Sequence, residues 1–151
     1  VRASILTAIA ASAIGCGTVD LGRYEGVRDI KPDEDAFYCV IQPQVLTAKR
    51  CAGGDGAAGD AAGGCHSSAS AYRLEEVATS VACASGRPTA TPSEAERRNY
   101  AASSLRVTGD PEASAILVKP TRKGGASHPR TIFEPTSPEA DLLRRWIAGA
   151  R

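Results

Sequence analysis

Between Cys51 and His66 the chain reads Cys-Ala-Gly-Gly-Asp-Gly-Ala-Ala-Gly-Asp-Ala-Ala-Gly-Gly-Cys-His. Any fold it adopts must place two cysteines at the ends of a thirteen-residue loop made only of Gly, Ala and Asp, with a histidine directly after the second. Such a loop has no bulk with which to build a core, so the segments on either side must supply one. Chemically, a Cys-His pair with another Cys upstream is the skeleton of covalent haem attachment. Cys51 and Cys65 would supply the thioether sulfurs and His66 the proximal iron ligand. The usual spacer is two residues; lengthening a flexible closure to thirteen costs about 1.7 kcal/mol by the logarithmic rule, which leaves the geometry accessible. Asp55 and Asp60 are the loop's only functional groups. Nothing repeats around them, so a solvated loop explains them better than a calcium site.

Residues 1–16 read as a segment apart from the folded domain. Arg2 gives a positive start, Ile5 to Ala11 form an apolar run too short to cross a bilayer, and Ala13-Ile14-Gly15 lead into Cys16. This pattern looks like a bacterial lipoprotein signal, with Cys16 as the lipidated residue and a membrane-anchored, exported protein facing the periplasm or cell surface as the outcome. An ordinary secretion signal is the alternative. Residues 17–32 are polar and irregular and read as a tether, leaving 33–151 as one domain. In an oxidising compartment the four remaining cysteines, Cys39, Cys51, Cys65 and Cys83, allow three pairings into two disulfides. If haem takes Cys51 and Cys65, Cys39 and Cys83 are left to pair with each other. The core needs such help, because the chain holds only one Trp, two Phe and four Tyr, and no Met.

The local patterns predict mostly helices. Asp33-Glu34-Asp35 after Pro32 start one, with Phe37, Val40 and Ile41 at helical spacing and Pro43 expected to break or kink it. Glu75 to Cys83 reads equally as helix or strand, and 84–92 as a loop. Thr91-Pro92-Ser93-Glu94 predicts a helix start with Thr91 as cap and Glu94 closing a capping box. Asp110-Pro111-Glu112 starts a further helix, with Ile116 and Leu117 inside and Lys119-Pro120 ending it. Segment 121–135 is irregular and carries the second histidine, His128, before the apolar pair Ile132-Phe133. Ser137-Pro138-Glu139 opens the clearest helix, whose Leu142, Leu143, Trp146 and Ile147 share one face.

Gln42-Pro43 with Leu46 before Cys51, Gly64-Cys65-His66, Pro111-Glu112-Ala113-Ser114 with Leu117-Val118-Lys119-Pro120, His128, Phe133, and Leu142-Leu143-Arg144-Arg145-Trp146-Ile147 together carry a resemblance. From about Phe37 onward the chain resembles the small c-type cytochrome-like domains of exported bacterial proteins. The resemblance implies an all-α cytochrome c-like helical domain with long loops around a single haem c. In it Cys51 and Cys65 are the attachment points and His66 the proximal ligand. With no Met in the chain, His128 is the natural distal ligand, with Lys119, Lys123 or an open site as alternatives, and two histidines favour a lower potential than His-Met ligation. The expected role is electron transfer at the cell envelope, as a carrier or binding domain rather than an enzyme. Its partner would be a redox protein or a larger envelope assembly. The alternative is a haem-less, disulfide-linked lipoprotein with an interaction or structural role, joined Cys51 to Cys65 and Cys39 to Cys83. Zinc held by Cys51, Cys65, His66 and His128 ranks third. A net charge of +1 and the lack of a basic, aromatic-interleaved run argue against nucleic acid. There is no nucleophile motif and no phosphate-cradling Gly-rich turn.

Overall fold

The computed structural model describes residues 31–52, 66 and 71–149. The expected signal with Cys16, the tether up to residue 30, and the Gly/Ala loop with Cys65 lie outside the described residues.

Helix α1 opens with one α-helical turn, Glu34–Ala36, and continues as a π-helical run, Phe37–Thr47. The Asp33 carboxylate caps it by accepting from the Ala36 amide at 2.9 Å, and Glu34 and Asp35 place negative charge at the positive end of the dipole. Pro43 neither breaks nor ends the helix. It has no N–H to give, and its ring would strike the carbonyl four residues back in α winding. The wider π turn removes that clash, and five-residue spacing appears in Ala48 N–H to Pro43 O (3.2 Å) and Cys51 N–H to Leu46 O (2.9 Å).

The start of α1 is held from two sides. Tyr100 on helix α2 (Glu94–Ser104) donates its hydroxyl to the Pro32 carbonyl at 2.8 Å, and Trp146 on helix α4 (Pro138–Ile147) donates Nε1–H to the Asp33 carbonyl at 2.9 Å. Pro32 is buried and so belongs to the fold rather than to the tether. Around these anchors Phe37 meets Tyr38, Tyr100 and Trp146 with ring centroids 5.5–5.7 Å apart. Edge-on and tilted contacts of this kind suit the ring quadrupoles. Ile41, Val45, Leu117, Leu143 and Ile147 extend the core toward helix α3 (Ala115–Thr121).

Helix α2 begins two residues later than the sequence suggests. Ser93 is the cap, with Glu96 rather than Glu94 closing the box. The reason is burial: Glu96 is 1 % exposed, accepts from the Ser93 amide at 2.7 Å, and with its other oxygen takes the Val81 amide at 2.8 Å. One carboxylate thus caps its own helix and holds a neighbouring segment. Asn99 acts similarly one turn on. Its amide accepts from Glu75 N–H (2.7 Å) and donates to Glu75 C=O (2.8 Å) and to Gln42 Oε1 (3.1 Å), standing in for the strand partner that 75 lacks.

The expectation of an all-α, cytochrome c-like helical domain is overturned. The chain forms an antiparallel hairpin, β1 (Cys83–Ala84) with β2 (Arg87–Pro88), and helix covers about 47 % of the described residues against 4 % strand. Four helices with one small hairpin do not by themselves define a fold class. The hairpin forms because Ser85 and Gly86 both take positive φ (51° and 75°), the pairing a type I′ turn requires. A disulfide between Cys39 in α1 and Cys83 in β1 fastens it to the helices. Elsewhere α3 passes through Pro120 and ends at Thr121, where Arg122 turns left-handed (φ 52°).

Candidate functional site

Between the end of α1, α3, α4 and the segment carrying His128 lies a cavity of about 410 Å³, within the usual range for a small-molecule or cofactor site. Val45 and Leu46 form one apolar wall, Ile116 and Leu143 another, and the pair Ile132-Phe133 a third. Cys51, His66 and His128 all open onto it.

His66 is fixed by its neighbours at several points. Its amide donates to the Cys51 carbonyl (3.3 Å) and its carbonyl accepts from Leu74 N–H (2.9 Å). Its Nδ1 lies 2.9 Å from the Tyr72 carbonyl oxygen. A carbonyl only accepts, so Nδ1 carries the proton and Nε2 the lone pair. The Tyr72 ring packs against the imidazole at 4.9 Å, and its hydroxyl is 2.7 Å from Ser103 Oγ on α2. Burial lowers the pKa of His66 below its ordinary 6.5, and the charges of His128, Lys119 and Arg106 push the same way against the Tyr72 hydrogen bond.

His128 is built alike from a different part of the chain. Its Nδ1 is 2.6 Å from the Arg130 carbonyl oxygen, which again leaves the lone pair on Nε2. The segment is tied to α3 by Ile132 N–H to Pro120 O at 2.8 Å. The two imidazole centroids are 6.2 Å apart, with ring planes inclined by 34°. A metal–nitrogen bond of about 2 Å, plus roughly 1 Å from each nitrogen to its ring centre, puts two imidazoles bound from opposite sides of one ion about 6 Å apart. Backbone carbonyls holding both Nδ1–H groups are the outer contacts that metal-bound histidines ordinarily have.

Of the residues singled out from sequence, Cys51, His66 and His128 come together at one cavity. Cys39 and Cys83 lie elsewhere, joined to each other; Cys16 and Cys65 are outside the described residues. Lys119 lines the cavity, whereas Lys123 is paired with Glu112 at 2.5 Å. Although Cys51, His66 and His128 line one cavity, no three His, Cys, Asp or Glu side chains are grouped closely enough among the described residues to hold one metal ion, and the fourth ligand of the zinc alternative, Cys65, lies outside them. Sequence reasoning missed Tyr72, which orients His66, and Arg106, whose guanidinium stands 5.8 Å from the Tyr72 ring centroid and donates to the Ala71 carbonyl at 2.7 Å. Only the closeness of Tyr72 to His66 in the chain hinted at the first, and nothing pointed to the second.

No described helix is long and apolar enough to cross a membrane. Comparison of the chain with protein-family descriptions, with characterised proteins and with solved structures returned no match.

Proposed function

We propose that this protein binds one haem in the cavity and serves as an electron carrier of the cell envelope. The observation that supports it best is the pair His66 and His128, facing each other 6.2 Å apart with both Nδ1 protons committed to backbone carbonyls. His66 and His128 would hold the iron, and Cys51 with Cys65 would be the attachment points. Bound there, haem supplies one-electron chemistry. The chain's own part is to hold two imidazoles at fixed orientation through their Nδ1 hydrogen bonds, to exclude water with Val45, Ile116, Phe133 and Leu143, and so to limit reorganisation when charge changes. With two histidines holding the iron, the site would suit electron transfer rather than substrate activation, at a lower potential than His-Met ligation gives. Export as a lipoprotein through Cys16, and a redox protein or envelope assembly as partner, complete the proposal; it rests on the site and on no fold class.

The test is the visible spectrum, oxidised and dithionite-reduced, of the full chain made in a host with haem-attachment enzymes, with a denaturing gel stained for haem. The expected result is a low-spin spectrum with a sharp reduced α-band and haem that survives denaturation. His128→Ala should turn the ferric form high-spin, and His66→Ala should abolish or greatly weaken binding. A colourless protein in which His66→Ala changes nothing would refute the proposal and favour the disulfide-linked, haem-less interaction lipoprotein.

A further inference from the structure

Five basic side chains line the cavity, Lys49, Arg50, Arg106, Lys119 and Arg130, and no Asp or Glu among the described residues does. Lys49 is paired with Glu139 at 2.6 Å. Arg106, Lys119 and Arg130 have no carboxylate partner among the described residues, although the chain as a whole is nearly neutral at +1. Like charges gathered around an apolar cavity repel one another, and in a partly desolvated setting that repulsion is screened less than at an open surface. An occupant that brings negative charge would relieve that repulsion, most at the half-buried Arg106 and Arg130 and less at the exposed Lys119.

Arg106 is the most constrained of the three. Its Nη2 donates to the Ala71 carbonyl, it stands beside the Tyr72 ring, and its backbone carbonyl accepts from Ile116 N–H at 3.3 Å, tying it to α3. Its Nε is buried without an acceptor, so one backbone carbonyl is the only hydrogen-bond acceptor the described residues give its guanidinium. Lys119, one turn beyond Ile116 on α3, faces the same cavity. Both cations line the same cavity as His66.

We infer that Arg106 and Lys119 form a carboxylate subsite, which selects an apolar, planar ligand carrying ionised acid groups and fixes which edge of it lies beside His66. Charge-assisted hydrogen bonds from a guanidinium are directional as well as strong, so the pair sets orientation in addition to affinity. This inference rests on the haem reading, since the porphyrin's two carboxylates are the groups it would hold.

The experiment is a titration of the full chain, expressed without haem-attachment enzymes, with ferric protoporphyrin IX as the free diacid and as its dimethyl ester. The ester is the more apolar of the two, so burial alone would favour it. The expected result is that the diacid binds about tenfold tighter or more. Arg106→Gln and Lys119→Gln should each narrow that ratio while the bound ferric porphyrin keeps its two-histidine spectrum. Lys119→Gln is the cleaner variant, because Arg106 also touches the Ala71–Tyr72 segment that orients His66; Arg106→Lys should retain part of the preference. Equal affinity for the two forms with a two-histidine spectrum, or a ratio unchanged in both Gln variants, overturns the subsite and leaves the haem reading standing. If neither porphyrin binds the unsubstituted chain, both readings are overturned.

Discussion

Removing the Cys39–Cys83 cross-link by the double change Cys39→Ser and Cys83→Ser should loosen the hairpin Cys83–Pro88 from α1 and lower the stability of the chain. The bridge spans 44 residues, and closing a loop of that length in the unfolded chain corresponds to about 4 kcal/mol. The native side offers little compensation, since β1 and β2 have two residues each and a hairpin of that size is not stable alone. What remains are Glu96 on the Val81 amide, Asn99 and Arg98 on Glu75, Tyr72 on Ser103, Arg106 on the Ala71 carbonyl, the exposed pair Arg87–Asp35 and the buried Leu74, nearly all of which hold residues 71–81 rather than the hairpin. The assay is equilibrium unfolding in urea of the full chain with and without the two substitutions, comparing midpoints and slopes. An expected loss of about 4 kcal/mol at similar slope should come with faster exchange of the Thr89 amide, which donates to the Ala82 carbonyl at 2.8 Å. Neither cysteine borders the cavity, so ligand spectra should be unaffected where the variant is folded. A loss below about 1 kcal/mol would refute the reasoning and mean that the remaining contacts fix the segment.

Asn99→Ala should cost about 3 kcal/mol in the same assay, because Glu75 N–H, Glu75 C=O and Gln42 Oε1 all lose a buried partner; a change under 1 kcal/mol would mean that water takes its place. Ser93→Ala should cost about 1 kcal/mol and Thr91→Ala almost nothing, and the reverse ranking would move the start of α2 back to Thr91. For pH, the folded state holds His66 below 6.5, so below that value the unfolded chain takes up the proton first. The resulting stability is present above pH 6.5 and is lost as pH falls below it. Urea midpoints between pH 5 and 8 should therefore slope less in His66→Ala than in the unsubstituted chain; parallel slopes would remove His66 as the cause.

How legible all this is in the amino-acid order varies with the physics involved. Helix α4 is plain because a capping Ser, a following Pro and one apolar stripe agree, and Leu143, Trp146 and Ile147 are indeed buried. Helix α1 carries a subtler sign. Its buried residues fall in pairs every fourth position, Phe37-Tyr38, Ile41-Gln42 and Val45-Leu46. In α winding, at about 100° per residue, such pairs drift by about 40° at each repeat, whereas a wider helix keeps them in line. Read as an α pattern, the same stretch suggests an early stop at Pro43. The hairpin was hidden because its strands are too short to show alternation, although Ser85-Gly86 was a usable turn signal. The start of α2 was ambiguous because Glu94 and Glu96 both complete a box, and burial of Glu96 decides between them. At the site, the two histidines stood out because the chain has no others. The basic lining is assembled from positions 49, 50, 106, 119 and 130, and no local pattern could gather them.

The hydrogen bond from Trp146 to the Asp33 carbonyl joins residues 113 positions apart. During synthesis α1 therefore emerges long before the helix that completes its surroundings. Over that interval the aromatic face of Phe37 and Tyr38 and the wall formed by Val45 and Leu46 have no α4 to pack against, and the cavity has no Leu143 to bound it. Local helices form within microseconds, but this closure waits on a contact of high sequence separation. The cavity is therefore completed late, after the arrival of residues 138–147.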